Sequence, residues 1–373
     1  MLHKLLKYLG IILIVTTTSQ CLSKCKQKPP YDTVNLDLKW ETESHPITLS
    51  GLNLENASGL TCHVPSKQAT YFLNEDGNCW EFTNEGNDLA CNPIGSLSTF
   101  SLNNSFVFVA GSTEQESLFF GTISGNNIDL YKLESGAWTK VVNAEDLSTF
   151  FPGLTIDTNK YIASCTIEQE GEKKGCLMFK LQSVAPAKDE LGCLLFSTED
   201  PHFKAINIDP QHKQTEQGIY LTGMVAVRDG NIILGQGYPK HGDACTLISL
   251  KDDQITFLNP PGVHNGLPPS RTRPPWEIFP LFLADEFPIV EPIFSIFNDD
   301  KRSIYRMDSD YVLQEMTLPP DPENKILNQK SLILPFYNEL YWITTITAED
   351  GNKETVSYKG TLVTTTKKPE RNP

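Results

Sequence analysis

Short runs of aromatic, β-branched and leucine residues alternate with polar turns along most of the chain. Ala69–Leu73, followed by the turn Asn74–Asn78, is typical. Aromatic and β-branched residues favour strands, whereas Gly, Asn and Asp favour turns. The pattern recurs in Cys79–Thr83, Ser105–Val109, Ser117–Gly121, Asn127–Tyr131, Gly218–Leu221, Asn231–Gly235 and Ala244–Ile248. It predicts an all-β protein with little helix, for which Ala144–Thr149 is the best candidate.

The spacing of these strands favours a β-propeller over a set of β-sandwiches. Sandwich domains of about 100 residues would require three domains and two linkers, and no linker divides the chain evenly. A propeller blade has four strands in about 40–50 residues. We therefore predict one β-propeller of about six four-stranded blades, with seven as the alternative, over residues 45–364. Residues 24–44 would form an N-terminal extension and residues 365–373 a flexible tail.

The N-terminus has the pattern of a secretory signal peptide. Lys4 and Lys7 precede the apolar run Leu9–Val15, which is too short to span a bilayer, and Ser23 offers a cleavage site. Cleavage there predicts a secreted or extracytoplasmic protein, either extracellular or periplasmic. An uncleaved anchor and a lipidated Cys21 are the alternatives. No later segment has enough uninterrupted apolar sequence to span a membrane.

Composition narrows the range of partners. The 373-residue chain has a net charge of −15, and loss of residues 1–23 removes two lysines, giving −17. Proteins bind nucleic acid and anionic lipid surfaces through clustered Lys and Arg. Because this chain is acidic, we exclude both as partners. The 39% hydrophobic content is too high for a disordered chain. We expect a monomer.

The cysteines suggest disulfides. Eight remain after removal of residues 1–23, and an even number in an exported chain indicates bridges, with buried free thiols as the alternative. Cys79 and Cys91 flank the turn Glu85–Asn87, and Cys165 and Cys176 flank Glu170–Gly171. A hairpin centred on each turn would place its two cysteines opposite each other. We therefore predict a Cys79–Cys91 and a Cys165–Cys176 bridge.

Two segments resemble a family of exported propellers. Residues 56–61 and 69–82 resemble the opening of the esterase-like-phytase and SdiA-regulated group, and residues 220–239 are similar to a stretch of the related DUF3616-type propellers. The resemblance implies a propeller fold and activity on phosphoester or ester bonds. Thr222 stands where the family has Glu, and Gln236 or Gly237 where it has Arg. The charged pair that could hold a cation or phosphate is therefore absent.

The most distinctive candidate site is a Pro-rich segment. Arg271 and Arg273 beside Trp276 could hold an anionic or sugar ligand, because guanidinium groups bind anions and indole rings stack on apolar faces. His241 and Asp243 could form an acid–base pair. The alternative is that the segment is a stiff loop whose Trp packs on a blade, and that the histidines are solvated loop residues.

Other motifs add little to this picture. Asp76 lies in an acidic turn that could belong to a calcium loop, but the twelfth ligand is absent and a plain hairpin turn is favoured. We expect no metal or other cofactor. Asn56 and Asn103 are glycosylation sequons if the source is a eukaryote.

The sequence favours a binding module that recognises a protein, glycan or small-molecule ligand through loops on one propeller face. A hydrolase of phosphoester or ester bonds and a structural surface protein are the alternatives.

Overall fold

The computed structural model describes most of the chain between residues 34 and 366. The described residues are 34–54, 59–85, 88–97, 104–112, 114–156, 162–183, 189–209, 214–215, 220–226, 231–238, 242–258, 276–279, 293–298, 301–307, 313–320, 331–336, 338–347 and 351–366. The predicted signal peptide lies outside them. The chain divides into two compact units, Leu38–Leu362 and the two chain ends. The packing reported below belongs to Leu38–Leu362.

The described strands form meanders, antiparallel except for one short parallel pairing in sheet 4, that we number as sheets 1 to 6. Before them lie β1 (Val34–Trp40) and β2 (His45–Pro46). Sheet 1 contains β3 (Gly59–Val64), β4 (Ala69–Asn74), β5 (Asn78–Glu85) and β6 (Asp88–Ser96). Sheet 2 contains β7 (Ser105–Ser112), β8 (Ser117–Ser124), β9 (Asn127–Glu134) and β10 (Ala137–Asp146).

Sheet 3 contains β11 (Leu154–Ile156), β12 (Ala163–Gln169), β13 (Glu172–Ser183), β14 (Asp189–Phe196), β15 (Phe203–Ala205) and β17 (Gln214–Thr215), and it is continuous with sheet 2 because β13 also pairs with the end of β7. Sheet 4 contains β16 (Asn207–Ile208), β18 (Tyr220–Ala226), β19 (Asn231–Tyr238), β20 (Gly242–Lys251) and β21 (Gln254–Phe257). Sheet 5 contains β22 (Trp276–Phe279), β23 (Ile293–Asn298), β24 (Lys301–Met307) and β25 (Leu313–Glu315). Sheet 6 contains β26 (Ser331–Phe336), β27 (Glu339–Thr347) and β28 (Lys353–Thr366), joined by β1 and β2.

One strand of each sheet lies beside the corresponding strand of the next. Contacts link β26 to β3, β3 to β7, β7 to β12, β12 to β18, and β18 to β22. We call these six the inner strands. This succession of meanders with neighbouring inner strands is the arrangement of a β-propeller. The all-β propeller prediction is confirmed, and the number of blades stays a prediction.

Sheet faces pack on one another in chain order. Between sheets 6 and 1, Leu334 and Ile343 meet Phe72 and Phe82 in one apolar cluster. Corresponding clusters lie between sheets 1 and 2, between 2 and 3, and between 3 and 4. Sheets 1, 2 and 3 have apolar clusters on both faces, so strands such as β7 and β8 are buried along nearly their whole length rather than at alternate positions. β4 and β26, for example, are buried at every residue.

Sheet 6 combines early and late segments of the unit Leu38–Leu362. β1 lies beside β28, and the Glu41 N–H donates to the Lys359 carbonyl over 2.9 Å. The indole of Trp40 covers Gly360, where an added Cβ would lie 2.9 Å from the ring. The Trp40 Nε1–H donates to the Thr317 carbonyl over 2.6 Å. β1 lies before residue 45, where we predicted the propeller to begin.

No α-helix occurs among the described residues. At the predicted helix Ala144–Thr149, β10 continues to Asp146 and a single 3-10 turn, Leu147–Thr149, follows. The Asp146 carboxylate accepts the Ser148 N–H over 2.9 Å and so caps this turn. In the part of the chain that the structure describes, no helix has the length and apolar character needed to cross a membrane.

Candidate functional site

The turns that follow three inner strands converge on a buried ion pair. Glu116 precedes β8, and Lys173 lies near the start of β13. Their side chains form a short Lys173–Glu116 hydrogen bond and are 12% and 2% exposed, respectively. The other Glu116 oxygen accepts the Ser66 N–H over 3.0 Å, from the turn after β3. Sheets 1, 2 and 3 are thereby tied together at the end of the inner strands, which we call the finish end.

The ion pair holds Glu116 in its charged form. Burial by itself would raise the pKa of this carboxyl group, but the hydrogen bonds from Lys173 and Ser66 outweigh burial, and the pKa lies below its usual range. Burial and hydrogen bonds also oppose each other at the carboxyl group of Glu172, which precedes Lys173 in the chain. It accepts hydrogen bonds from the Ser197 Oγ at 2.7 Å and the Thr198 N–H at 3.1 Å, and its pKa is also lowered despite burial.

His63 extends this cluster towards sheet 6. Its Nδ1 lies 3.0 Å from Thr70 Oγ1, and the Thr70 hydroxyl donates a short hydrogen bond to the Pro335 carbonyl. Because that carbonyl can only accept and the hydroxyl has one proton, Nδ1 is the donor to Thr70. The ring also meets Phe336 edge-on at 5.7 Å. The sequence-based interpretation of the histidines as solvated loop residues is wrong for His63, which lies on β3 and is 6% exposed.

Neither His63 nor its neighbour Cys62 is activated for chemistry at neutral pH. Burial, assisted by the positive charge of Lys173, lowers the pKa of His63 to about 4, so the imidazole is neutral. Burial raises the pKa of Cys62 to about 12, although Lys173 opposes this shift, so the thiol keeps its proton. The Glu116 cluster, which we define as Cys62, His63, Ser66, Thr70, Glu116 and Lys173, therefore joins sheets and offers no poised nucleophile or base.

The depressed pKa of His63 predicts a pH dependence of stability. In the unfolded chain His63 takes up a proton near pH 6.5, whereas in the folded chain it stays neutral down to about 4. The unfolded state therefore binds the extra proton in this window, and the stabilisation present above pH 6.5 is lost as the pH falls. Between pH 7.5 and 5 we expect a loss of about 2 kcal/mol.

Urea unfolding at both pH values would measure this loss in the wild-type protein and in His63→Asn, which keeps a hydrogen-bond donor for Thr70 but cannot titrate. We expect the variant to lose about 2 kcal/mol less than the wild type over the same pH interval. Equal losses in the two proteins would contradict a buried neutral His63.

The candidate residues Arg271, Arg273 and His241 lie outside the described residues. Of the other two, Trp276 is the first residue of β22, and Asp243 is the second residue of β20, paired with Gly237. β20 runs antiparallel to β19, so β20 begins at the same end of sheet 4 as the inner strand β18. Asp243 and Trp276 thus both lie at the beginnings of strands, at what we call the start end of the inner strands.

The acidic turn at Asp76 is a hairpin turn between β4 and β5. The Asn74 Oδ1 accepts the N–H groups of Asp76 at 3.1 Å and Asn78 at 2.9 Å, and Gly77 adopts φ +78°. An Asn side chain that bonds to the backbone two residues ahead is a usual turn device. Among the described residues no group of three or more His, Cys, Asp or Glu side chains is arranged to hold a metal ion. The sequons at Asn56 and Asn103 lie outside the described residues.

The predicted Cys79–Cys91 bridge was wrong in its register. The β5–β6 hairpin pairs Glu85 with Asp88, so its centre lies beyond residue 85, and Cys91 lies opposite Phe82 while Cys79 lies opposite Gly95. Cys79 faces sheet 2 and Cys91 faces sheet 6, on opposite sides of sheet 1. Both are free thiols.

The register at the second predicted bridge is confirmed. The β12–β13 turn pairs Gln169 with Glu172, and Cys165 lies directly opposite Cys176. Their thiols are free in the structure, as is that of Cys193 on the next strand. The bridge itself stays a prediction.

Comparisons with known proteins show no family for this chain. No family model matches the sequence, and no curated protein matches it. The chain is similar to the solved structure of Trypanosoma rangeli sialidase in complex with sialic acid, with 9% identity and a TM-score of 0.48 over 86% of this chain and 57% of that one. The chain thus spans little more than half of the sialidase.

Two further solved structures are similar to the chain. One is the WD40 domain of SCAP from fission yeast, at 9% identity and a TM-score of 0.40, covering 88% of this chain and 91% of that one. The other is a family 117 glycoside hydrolase of Zobellia galactanivorans, at 9% identity and a TM-score of 0.38, covering 77% and 92%. Sialidase and WD40 structures are propellers. The resemblance to the esterase-like-phytase group stays a prediction.

Proposed function

We propose that the protein is a secreted binding module that holds a glycan at the start end of its inner strands. The observation that supports this most is strand direction. Asp243 and Trp276 begin β20 and β22, and the sequence attaches His241 before the first and Arg271 and Arg273 before the second. All five candidate ligand residues therefore belong to chain segments that lead into strand beginnings of sheets 4 and 5.

These residue types suit a carbohydrate. An indole ring can cover the apolar face of a sugar, and guanidinium groups donate paired hydrogen bonds to hydroxyl or carboxylate oxygens. A chain with net charge −17 after signal removal repels long anionic polymers, so we favour a short glycan with at most one acidic group. The finish end gives no support to the alternative of turnover. Its Glu116 cluster is hydrogen-bonded within itself, and His63 and Cys62 are neutral at pH 7.

A glycan array tests this proposal with the mature chain and two variants. Arg271→Ala/Arg273→Ala/Trp276→Ala removes three of the five candidate residues. Lys67→Ala/Lys251→Ala removes two positive charges from exposed positions at the finish end. We expect the wild type and the lysine variant to bind the same glycans, and the triple variant to bind at least about 10-fold more weakly. Equal binding by the triple variant, or no glycan bound by the wild type, would reject the proposal.

Turnover of p-nitrophenyl phosphate and p-nitrophenyl acetate tests the alternative. We expect no hydrolysis above the buffer rate from the wild type. Hydrolysis that persists through purification, and that a substitution within the propeller abolishes, would favour the phosphoesterase or esterase that the sequence resemblance implies.

A further inference from the structure

Three cysteine thiols meet on one face of sheet 3. Cys165 on β12 is the direct cross-strand partner of Cys176 on β13. The Sγ atoms of Cys176 and Cys193 are 3.7 Å apart, although Cys193 on β14 is paired with Met178 and so lies diagonally from Cys176. All three are buried in the apolar cluster between sheets 3 and 4. The sequence pointed to the first pair but gave no reason to include Cys193.

Strand order makes Cys176 the shared member of the trio. β13 lies between β12 and β14, so Cys165 and Cys193 are separated by two strand spacings, about 9–10 Å. Backbones that far apart cannot be joined by a disulfide without being moved. Cys176 is within reach of both neighbours, but it can bond to one of them at a time.

We propose that Cys165, Cys176 and Cys193 form a disulfide-exchange site, in which Cys176 bonds to either neighbour and the remaining thiol attacks that bond. The site is independent of the proposed glycan binding. Its two bridged forms connect different strand pairs, β12 with β13 or β13 with β14. Exchange between the forms changes which pair is crosslinked while keeping one bridge in sheet 3.

The chemistry balances with a small-molecule disulfide as the oxidant. Cys176 and one neighbour give up two protons and two electrons, and oxidised glutathione becomes two glutathione thiols. In the exchange step the Cys193 sulfur attacks Cys176 of a Cys165–Cys176 bridge. The Cys176–Cys193 bond forms, and the proton lost by Cys193 is taken up by the departing Cys165 sulfur. No further oxidant is needed for this step.

The electrostatics of the trio agree with a central role for Cys176. Hydrogen bonds from its two neighbours lower the pKa of Cys176 and outweigh burial. Burial raises the pKa of Cys165, and the hydrogen bond to Cys176, followed by burial, raises that of Cys193.

Peptide mapping can read out each bridge separately. The mature full-length chain is refolded in a buffer of reduced and oxidised glutathione, blocked with N-ethylmaleimide and digested with trypsin. Lysines at 160, 173, 174, 180, 188 and 204 place the three cysteines in separate peptides, which are 161–174 (or 161–173 after cleavage at Lys173), 175–180 and 189–204. We expect crosslinks of 175–180 to 161–174 and of 175–180 to 189–204, with Cys79 and Cys91 alkylated.

Three single variants distinguish exchange from a fixed bridge. In Cys193→Ser we expect only the first crosslink, in Cys165→Ser only the second, and in Cys176→Ser neither. Oxidation should also raise the unfolding temperature of the wild type by about 4 °C but leave that of Cys176→Ser unchanged. A crosslink of 161–174 to 189–204, a single fixed crosslink in the wild type, or full alkylation of all three peptides would each overturn the proposal.

Discussion

Lys173→Met is expected to destabilise the protein by about 3–5 kcal/mol, because it leaves the Glu116 carboxylate buried without its charged partner. The Glu116 side chain is 2% exposed, and in the variant it retains the hydrogen bond from the Ser66 N–H but loses its cation. Urea unfolding at pH 7 measures the loss. Without Lys173, burial raises the pKa of Glu116 above its unfolded value, so the deficit of the variant shrinks as the pH is lowered through that pKa.

The matched control is the double variant Lys173→Met/Glu116→Gln. Its neutral amide can still accept the Ser66 N–H, so most of the stability should return, to within about 2 kcal/mol of the wild type. If Lys173→Met costs less than about 1 kcal/mol, or if the double variant is as unstable as the single one, the ion pair does not join these sheets as described.

Gly121→Ala is expected to cost about 3 kcal/mol, because the tip of the Phe106 ring occupies the space that the new methyl group would need. A Cβ at residue 121 would lie 2.0 Å from the ring Cζ of Phe106. The ring cannot move aside easily, since Phe106 is fully buried and lies against Phe108 and Phe203, with centroid distances of 6.1 and 6.4 Å. Thermal and urea unfolding of the variant measure the cost.

Rescue by Phe106→Leu tests the cause of that loss. Leu is smaller and flexible, so it can leave room for the new methyl group. The double variant Gly121→Ala/Phe106→Leu should therefore be more stable than the sum of the two single losses predicts. Simple additivity would show that the cost arises elsewhere, for example in the backbone of β8.

The local pattern of apolar and polar residues predicted the strands and the turns, but it did not predict how one sheet packs on another. The hairpin at Asn74–Asn78 and the β12–β13 register were predictable because turn residues and strand residues alternate clearly there. The register at Cys91 was not, since the Glu85–Asn87 turn tolerates a shift of centre and β5 and β6 contain a bulge near Cys79. A shift of one residue reverses the face, and no local pattern reveals it when both faces are apolar.

The Glu116 cluster was not predicted from the sequence, for a different reason. Ser66, Glu116 and Lys173 lie far apart in the chain and meet only because successive inner strands end side by side. Each resembles an ordinary solvent-exposed turn residue when considered alone. Conversely, Arg271, Arg273 and Trp276 stood out because Pro-rich sequence surrounds them. Of these, the structure describes Trp276, which begins β22, as Gly242 and Asp243 begin β20.

Hydrogen exchange of the mature protein with its tightest-binding array glycan tests most directly whether one end of the propeller binds while the other end holds the sheets together. We expect glycan-dependent protection in the segments that lead into strand beginnings, above all 239–243 and 259–276. The finish-end turns 65–68, 113–116 and 170–173 should exchange at the same rate with and without glycan. Protection confined to those finish-end turns, or an unchanged start end, would contradict the account.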